Sequence, residues 1–164
     1  MKKLMLASAA DAAEVADLQI AVAEHLTSLY GIGSWSSGMS ESSVLFAMKT
    51  GQVFVVRERG RVIGCLRLTT RKPWAIDRSY FTPVARPLYL MDMAVHPSRQ
   101  RHGIGRDILA EAVRLTRAWP ADAIRLDAYD AEAGAGEFYR KSGFTERGRV
   151  TYRRTPLIYF ELLV

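Results

Sequence analysis

Residues 88–106 read Leu88-Tyr89-Leu90-Met91-Asp92-Met93-Ala94-Val95-His96-Pro97-Ser98-Arg99-Gln100-Arg101-His102-Gly103-Ile104-Gly105-Arg106. Leu88 to Val95 is almost unbroken apolar sequence of strand length, the pattern of a buried strand. His96-Pro97 closes it, because the residue before a proline is pushed away from helix. From Gly105 the period changes: Ile104, Ile108, Ala112 and Leu115 line one helical face until Trp119-Pro120 stops it. Two glycines one residue apart therefore sit between a strand and a helix. Glycine permits torsions that a β-carbon forbids and lets the backbone approach a ligand closely. The helix that follows begins with unpaired N–H groups and a partial positive charge, so the turn suits a phosphate or pyrophosphate. Arg99, Arg101 and Arg106 add charge, with no acid between Pro97 and Arg106.

Other phosphate motifs do not fit. A dinucleotide fingerprint needs a third glycine where Ile108 stands, and a P-loop needs Gly-Lys-Ser/Thr where Gly105-Arg106-Asp107 stands. A bare Gly-x-Gly is equally a structural turn, and its placement between strand and helix favours a ligand.

Upstream, Leu4–Ala7 reads as a first strand and Ser8 with Asp11 as a helix-opening capping box. Val15, Leu18, Val22, Leu26 and Leu29 form one stripe of an amphipathic helix. Tyr30 to Ser43 is a Gly/Ser-rich loop containing Trp35, and a short helix follows over Ser42 to Thr50. Val53–Val56 and Val62–Leu68 are β-branched runs joined through Gly60, a hairpin. Arg71 to Pro87 carries three prolines with Trp74, Tyr80 and Phe81; it shows neither period and reads as a long loop. Downstream, Ile124, Leu126 and Ala128 alternate as a strand, and Ala133 to Ser142 is a helix ended by Gly143. Two more strands are predicted near Glu146–Arg154 and Leu157–Leu163. The order strand-helix-helix-strand-strand-strand-helix-strand-helix-strand-strand describes a mixed α/β (α+β) fold.

The 164 residues suit a single domain spanning 1–164. Apolar residues are 49% and charged residues 24%, which provides a core and argues against disorder. The one cysteine, Cys65, rules out an internal disulfide and a cysteine-based zinc site, and no metal site is evident from residue spacing. Residues 1–82 hold ten basic and seven acidic residues, and residues 83–164 hold thirteen and ten, so each half carries +3. That even spread favours anionic ligands but lacks the clustered stripe of a nucleic-acid binder. Lys2-Lys3 before Leu4–Ala10 resembles a short signal sequence, but the helix pattern continuing from Asp11 favours a strand. No run is long enough to span a bilayer, and a cytoplasmic location is expected.

Leu90-Met91-Asp92-Met93-Ala94-Val95-His96-Pro97, then Gln100-x-x-Gly103-x-Gly105, then Phe138-Tyr139-Arg140-Lys141-Ser142-Gly143-Phe144 resembles the GCN5-related N-acetyltransferase (GNAT) family. The resemblance runs in register over roughly residues 88–144, and the upstream elements fall in the family's order. It implies the acyl-CoA N-acyltransferase fold: a central, mostly antiparallel sheet flanked by helices, with fourth and fifth strands that splay into a cleft. It implies acetyl-CoA as donor, held along Met93, Ala94 and Val95 through its pantetheine arm. Its pyrophosphate is expected on the amides of Arg101, His102, Gly103, Ile104, Gly105 and Arg106. Tyr139 matches the tyrosine that protonates the departing thiolate. Many members carry an Asn about seven residues before that tyrosine; here Glu132 stands there, with Asp130 nearby, so this arm contact departs from the family.

The chemistry is direct transfer. A protonated amine, with a pKa of about 10.4, is no nucleophile, so a base or water relay is required. Asp92 is the first candidate base; it reads equally as a strand-end carboxylate anchoring a loop. Alternation places it on one face with Leu90 and Ala94. His96 reads as turn chemistry rather than a relay, His102 as a phosphate neighbour, His25 as structural and Cys65 as a buried thiol. Asp127, which alternation turns away from the core, is expected to bind a cationic acceptor or to be solvated, and Asp127 with Asp130 is a candidate carboxylate pair. Trp35, Trp74 and Tyr80 are the aromatic candidates for the acceptor wall, with Tyr30, Phe81 and Tyr152 behind them.

The function expected is acetyl transfer to a primary amine of a small molecule or peptide. A non-catalytic acyl-CoA-binding or interaction module is the alternative, and neither nucleic acid nor membrane is an expected partner. Leu157-Ile158-Tyr159-Phe160 fits a homodimer interface or an internal strand equally.

Overall fold

Strand-forming and helix-forming stretches alternate along the chain as their periodicities require. A computed structural model describes residues 1–164. Its elements are β1 (Met5–Leu6), α1 (Ala12–Tyr30), α2 (Glu41–Thr50), β2 (Gln52–Glu58), β3 (Arg61–Thr69), β4 (Pro87–Val95), α3 (Ile104–Ala118), β5 (Ala123–Tyr129), α4 (Gly136–Lys141), β6 (Thr145–Tyr152) and β7 (Thr155–Leu163). They build a seven-stranded sheet in the order β1-β2-β3-β4-β5-β7-β6. Every neighbouring pair is antiparallel except β4 with β5, which run parallel. The order of elements and the mixed α/β architecture follow the sequence reading. No helix is long and apolar enough to cross a membrane.

The β2–β3 hairpin turns through Arg59 and Gly60, both at positive φ (51° and 78°), the paired left-handed torsions of a tight two-residue turn. The β6–β7 hairpin uses the same geometry at Arg153 (46°) and Arg154 (69°). Those two arginines, assigned by periodicity to the end of a strand, are the turn itself. The helix expected from Ala133 begins at Gly136. Residues Leu157 to Phe160 lie in β7, buried and paired on one side with β5 and on the other with β6.

Apolar side chains fill both faces. On one, α3 and α4 pack Ile104, Ile108, Ala112 and Tyr139 against Leu66, Leu68, Leu90, Leu126 and Phe160. On the other, Val15, Leu18 and Val44 of α1 and α2 cover Val55, Val62, Cys65 and Ala94. Further along that second face, Ile76 and Phe81 fold down on Tyr89 and Tyr159. Residues 70–86, expected as a loop, are therefore anchored. A buried ion pair holds them: Arg125 Nε donates to Glu161 Oε2 at 3.0 Å, Arg125 Nη2 to the Thr82 carbonyl at 2.6 Å, and the Thr82 amide to Glu161 at 3.2 Å. A buried ion pair is tolerated where hydrogen bonds satisfy its remaining atoms in this way.

Candidate active site

β4 and β5 pair only through Pro87–Ala123, Leu88–Ile124 and Tyr89–Arg125, and beyond these they part. The cause lies in β4. Cys65 pairs with Ala94 and Arg67 with Met91, so two steps on β3 face three on β4. The extra residue is a β-bulge, and bulges bend a strand and end its pairing. Asp92 supplies the bend with φ at 54°, a left-handed torsion that a side chain disfavours by about 1–2 kcal/mol. Hydrogen bonds from Gln19 Nε2 (2.8 Å) and Cys65 Sγ (3.4 Å) to its carbonyl hold it there. The bulge also exchanges faces. Leu90 belongs to the α3–α4 core and Ala94 to the α1–α2 core, opposite sides of the sheet. The alternation that placed Leu90, Asp92 and Ala94 on one face is thus corrected.

The parting of the strands opens a cavity of about 350 Å³. Gln19, Val22, Ala23 and Leu26 of α1 form one wall, so Val22 and Leu26 of the α1 stripe face this space, Val22 while also packing on the α1–α2 core. Trp35, Ser37 and Met39 follow from the α1–α2 connection; Leu90 to Met93 and Asp127 to Tyr129 line it from the two strands; Ala133, Ala135 and Tyr139 close it. The α1–α2 connection is a strap. Trp35 Nε1 donates to the Gly31 carbonyl at 2.9 Å, and its ring meets Tyr129 edge-on at 6.0 Å. The Tyr129 hydroxyl donates to the Ser34 carbonyl at 3.2 Å, and Ser34 Oγ lies 2.8 Å from Thr155 Oγ1. The strap so joins α1 to β5 and β7 across the gap.

Three titratable groups converge in the cavity. The Tyr139 hydroxyl points at Met93 Sδ from 3.7 Å, and burial, with Asp127's charge, holds its pKa above the ordinary range. Burial raises Asp92, opposed by Arg67, whose Nε lies 3.1 Å from Asp92 Oδ2 without the alignment of a hydrogen bond. The Arg67 guanidinium also donates to Thr50 Oγ1 and Met91 Sδ, both at 3.1 Å. Asp127 is pushed up to about 6 by burial first and by Asp92's charge second. Unlike Asp92, which has the Arg67 guanidinium beside it, Asp127 has no cation from the protein.

At the end of β4 the chain turns into α3. Gln100 Nε2 donates to the Val95 carbonyl at 3.1 Å, tying the turn to the strand, and His102 Nδ1 lies 2.7 Å from the Gln100 carbonyl. Arg101 (φ 62°) and Gly103 (φ 83°) bend the backbone left-handed. The first main-chain bond of the helix is Asp107 N–H to the Gly103 carbonyl at 3.0 Å, which leaves the amides of Arg101 through Arg106 without a protein acceptor. A β-carbon at Gly105 would stand in ordinary contact with the Phe138 ring, 3.4 Å away, so a larger side chain there would meet α4. Arg101 and Arg106 are exposed and unpaired, whereas Arg99 is bound to Glu58 at 2.8 Å.

Of the residues named from sequence, Asp92, Met93, Asp127, Tyr139 and Trp35 meet in the cavity. Ala94, Val95 and the turn from Arg101 to Arg106 continue from its β4 side. Trp74, 85% exposed, and Tyr80, edge-on to Tyr159 at 5.3 Å, lie outside it. Asp130 is bound to Arg149 at 3.2 Å, so Asp127's charge neighbour is Asp92 instead. Glu132 is exposed and outside the lining, and Tyr152 stacks under Arg153 at 5.2 Å. His96 caps its own turn by accepting from the Ser98 amide at 3.2 Å. Cys65 is buried and pushed up to about 12, which leaves it a poor nucleophile. Gln19, Arg67, Met39 and Tyr129 went unnamed. Gln19 and Arg67 had a signal: each is a polar residue within an otherwise apolar face or strand.

A family model described as an acetyltransferase (GNAT) domain matches residues 49–146. Among solved structures, the ribosomal-protein-S18-alanine N-acetyltransferase of Escherichia coli is similar at a TM-score of 0.74 and 16% identity, over 100% of this chain and 94% of that one. A GCN5-related N-acetyltransferase from Rhodopseudomonas palustris is similar at 0.73 and 19% identity, over 100% and 96%. The Salmonella typhimurium protein yncA, solved with its cofactor acetyl-CoA, is similar at 0.69 and 18%, over 99% and 93%. At these identities the structural likeness speaks for the fold.

Proposed function

The chain belongs to the GNAT acetyltransferase family, and on that premise we propose that residues 1–164 act as one domain that moves an acetyl group from acetyl-CoA directly to a primary amine of a small molecule or peptide. The observation that carries the reading is the row of free amides from Arg101 to Arg106 beyond the end of β4, a strand whose residues Leu90 to Met93 border the cavity. Unpaired N–H groups at a helix start, with Arg101 and Arg106 beside them, fit a pyrophosphate. The gap-side backbone of Met93, Ala94 and Val95 fits an amide-bearing arm.

Acetyl-CoA, when bound, supplies an acetyl electrophile and a thiolate leaving group. The protein's own groups do the rest. An ammonium entering the cavity meets Asp127 and Asp92, and its proton passes to Asp127, because Arg67 opposes the rise that burial gives Asp92 while nothing opposes it at Asp127. As the C–N bond forms and the C–S bond breaks, the Tyr139 hydroxyl gives its proton to the sulfur. The second proton leaving the nitrogen passes to solvent, solvent restores the tyrosine, and Asp127 releases the first proton to solvent, ready for the next amine. The balance is one amide, one thiol and one released proton. Cys65, a lone free thiol, suits the reducing cytoplasm in which we place the protein.

Calorimetric titration with acetyl-CoA tests the reading, followed by free-thiol release on a panel of amines. One-site binding that is lost when Gly103 and Gly105 carry bulky side chains, with amine-dependent thiol release, is expected. Absence of binding overturns it. Binding without thiol release on any amine would favour the non-catalytic module.

A further inference from the structure

The chemistry of the cavity wall narrows the acceptor. Its α1 and strap side is apolar at Val22, Ala23, Leu26 and Met39, with Trp35 and Tyr129 as an aromatic corner. No lysine, arginine or histidine lines it. The one cation nearby, Arg67, is directed to Asp92, which leaves Asp127 as the carboxylate without a counter-charge. A carboxylate facing apolar walls is costly unless a cation joins it. One positive charge balances the site, whereas a second would be stranded against hydrocarbon. A carboxylate next to the amine would meet Asp92 and Asp127 with nothing to neutralise it. The strap bonded to Tyr129 and Thr155 spans the gap and limits what passes beyond the corner.

We propose that the cavity accepts a small primary amine that has an apolar body, a single positive charge and no carboxylate beside its nitrogen, seated with its ammonium on Asp127 and its body against Trp35 and Tyr129. This rests on the acetyl-transfer reading for the fate of the amine, but the binding site itself does not require turnover. An aryl body gains from the edge of Trp35 and from Tyr129, and its ammonium lies within reach of the Tyr129 ring on the same strand face as Asp127.

Matched ligands separate the alternatives. 2-Phenylethylamine and phenylalanine differ by one carboxylate; 2-phenylethanol lacks the charge; spermidine multiplies it; alanine amide presents a small amine ahead of a peptide-like group. Each is titrated calorimetrically into the protein, free and saturated with CoA, and into Asp127→Asn. Binding of 2-phenylethylamine at least about tenfold tighter than each of the other four is expected. The Asp127→Asn protein should lose about tenfold for 2-phenylethylamine and little for 2-phenylethanol, with its affinity for acetyl-CoA retained. Leu26→Trp, which fills the apolar wall and leaves Asp127 in place, should weaken both aryl ligands together. Equal or tighter binding of phenylalanine, spermidine or alanine amide overturns the proposal, as does absence of amine binding or an Asp127→Asn protein that binds 2-phenylethylamine unchanged. The acetyl-CoA isotherm from the same samples reports separately on the cofactor reading.

Discussion

The hydroxyl of Tyr139, on α4, points at the sulfur of Met93, on β4, from 3.7 Å. The tyrosine ring is fixed by Phe138, Phe144 and Phe160, with centroids 5.3, 5.5 and 5.8 Å away, so its hydroxyl is directed without help from other polar groups. The pair marks where α4 meets the parted strand. A group placed here is buried, aimed and protonated, three properties that an acid for a leaving thiolate needs.

Tyr139→Phe should keep the fold and the affinity for acetyl-CoA while lowering kcat by about 100-fold or more. Because burial holds the phenol above its usual range, it should contribute no alkaline limb to the kcat profile below about pH 10. Stopped-flow thiol release against pH checks both statements. An unchanged kcat would remove Tyr139 from the chemistry.

Gly103→Val forces a branched side chain into φ 83°, where left-handed strain costs about 1–2 kcal/mol. There is open space around this Cβ, so the effect is torsional and local to the anion turn. Acetyl-CoA affinity should fall by about tenfold, and urea stability by the strain itself, about 1–2 kcal/mol. Calorimetry and urea melts on one preparation separate the two effects.

Asp127 links stability to pH with a definite sign. Its folded pKa of about 6 exceeds its unfolded value, so the folded state binds the proton more tightly. The stabilisation is complete below about pH 4 and is lost as pH rises through about 6. Asp127→Asn removes that dependence. It should match the parent at about pH 4 and exceed it at about pH 7.5 by up to about 3 kcal/mol in urea melts. A variant less stable than the parent at the higher pH would show that the carboxylate is held by contacts rather than strained by burial.

Cys65 should resist alkylation in the folded protein and react on unfolding, since its thiol is buried, raised to about 12, and donates to the Asp92 carbonyl. Cys65→Ala should keep amine-dependent turnover. Loss of turnover with the fold intact would point to a covalent acetyl-cysteine and against direct transfer.

The sequence reading found every helix and strand, because most carry an apolar stripe or run long enough to register and the others, such as the polar β6, fall between recognisable neighbours. The turn from Arg101 to Arg106 was equally legible as a turn, since its glycines and the helix start that follows are local in the chain. What escaped depends on distant partners. The bulge at Asp92 breaks alternation without a glycine to announce it, so Leu90 and Ala94 read as one face when they belong to two. The Arg153-Arg154 turn hides its left-handed torsions behind residues that do not advertise them. The pairing of Asp92's charge with Asp127 exists because two strands part, which no spacing of 35 positions along a chain reveals. Trp74 and Tyr80 were candidates by composition alone, and packing of the 70–86 segment on Tyr159 carried them away from the cavity.

Where β4 leaves β5, the sheet acquires two edges in its interior in addition to the outer ones at β1 and β6. An unpaired strand edge ordinarily invites another chain to add itself, which is how folded proteins come to aggregate. Here the interior edges are roofed by α1 and the strap on one side and by α3 and α4 on the other. Those covers shield the two interior edges from the strand addition that an outer edge invites, while the edges' gap-side backbone groups beyond Tyr89 and Arg125 stay unpaired by the sheet.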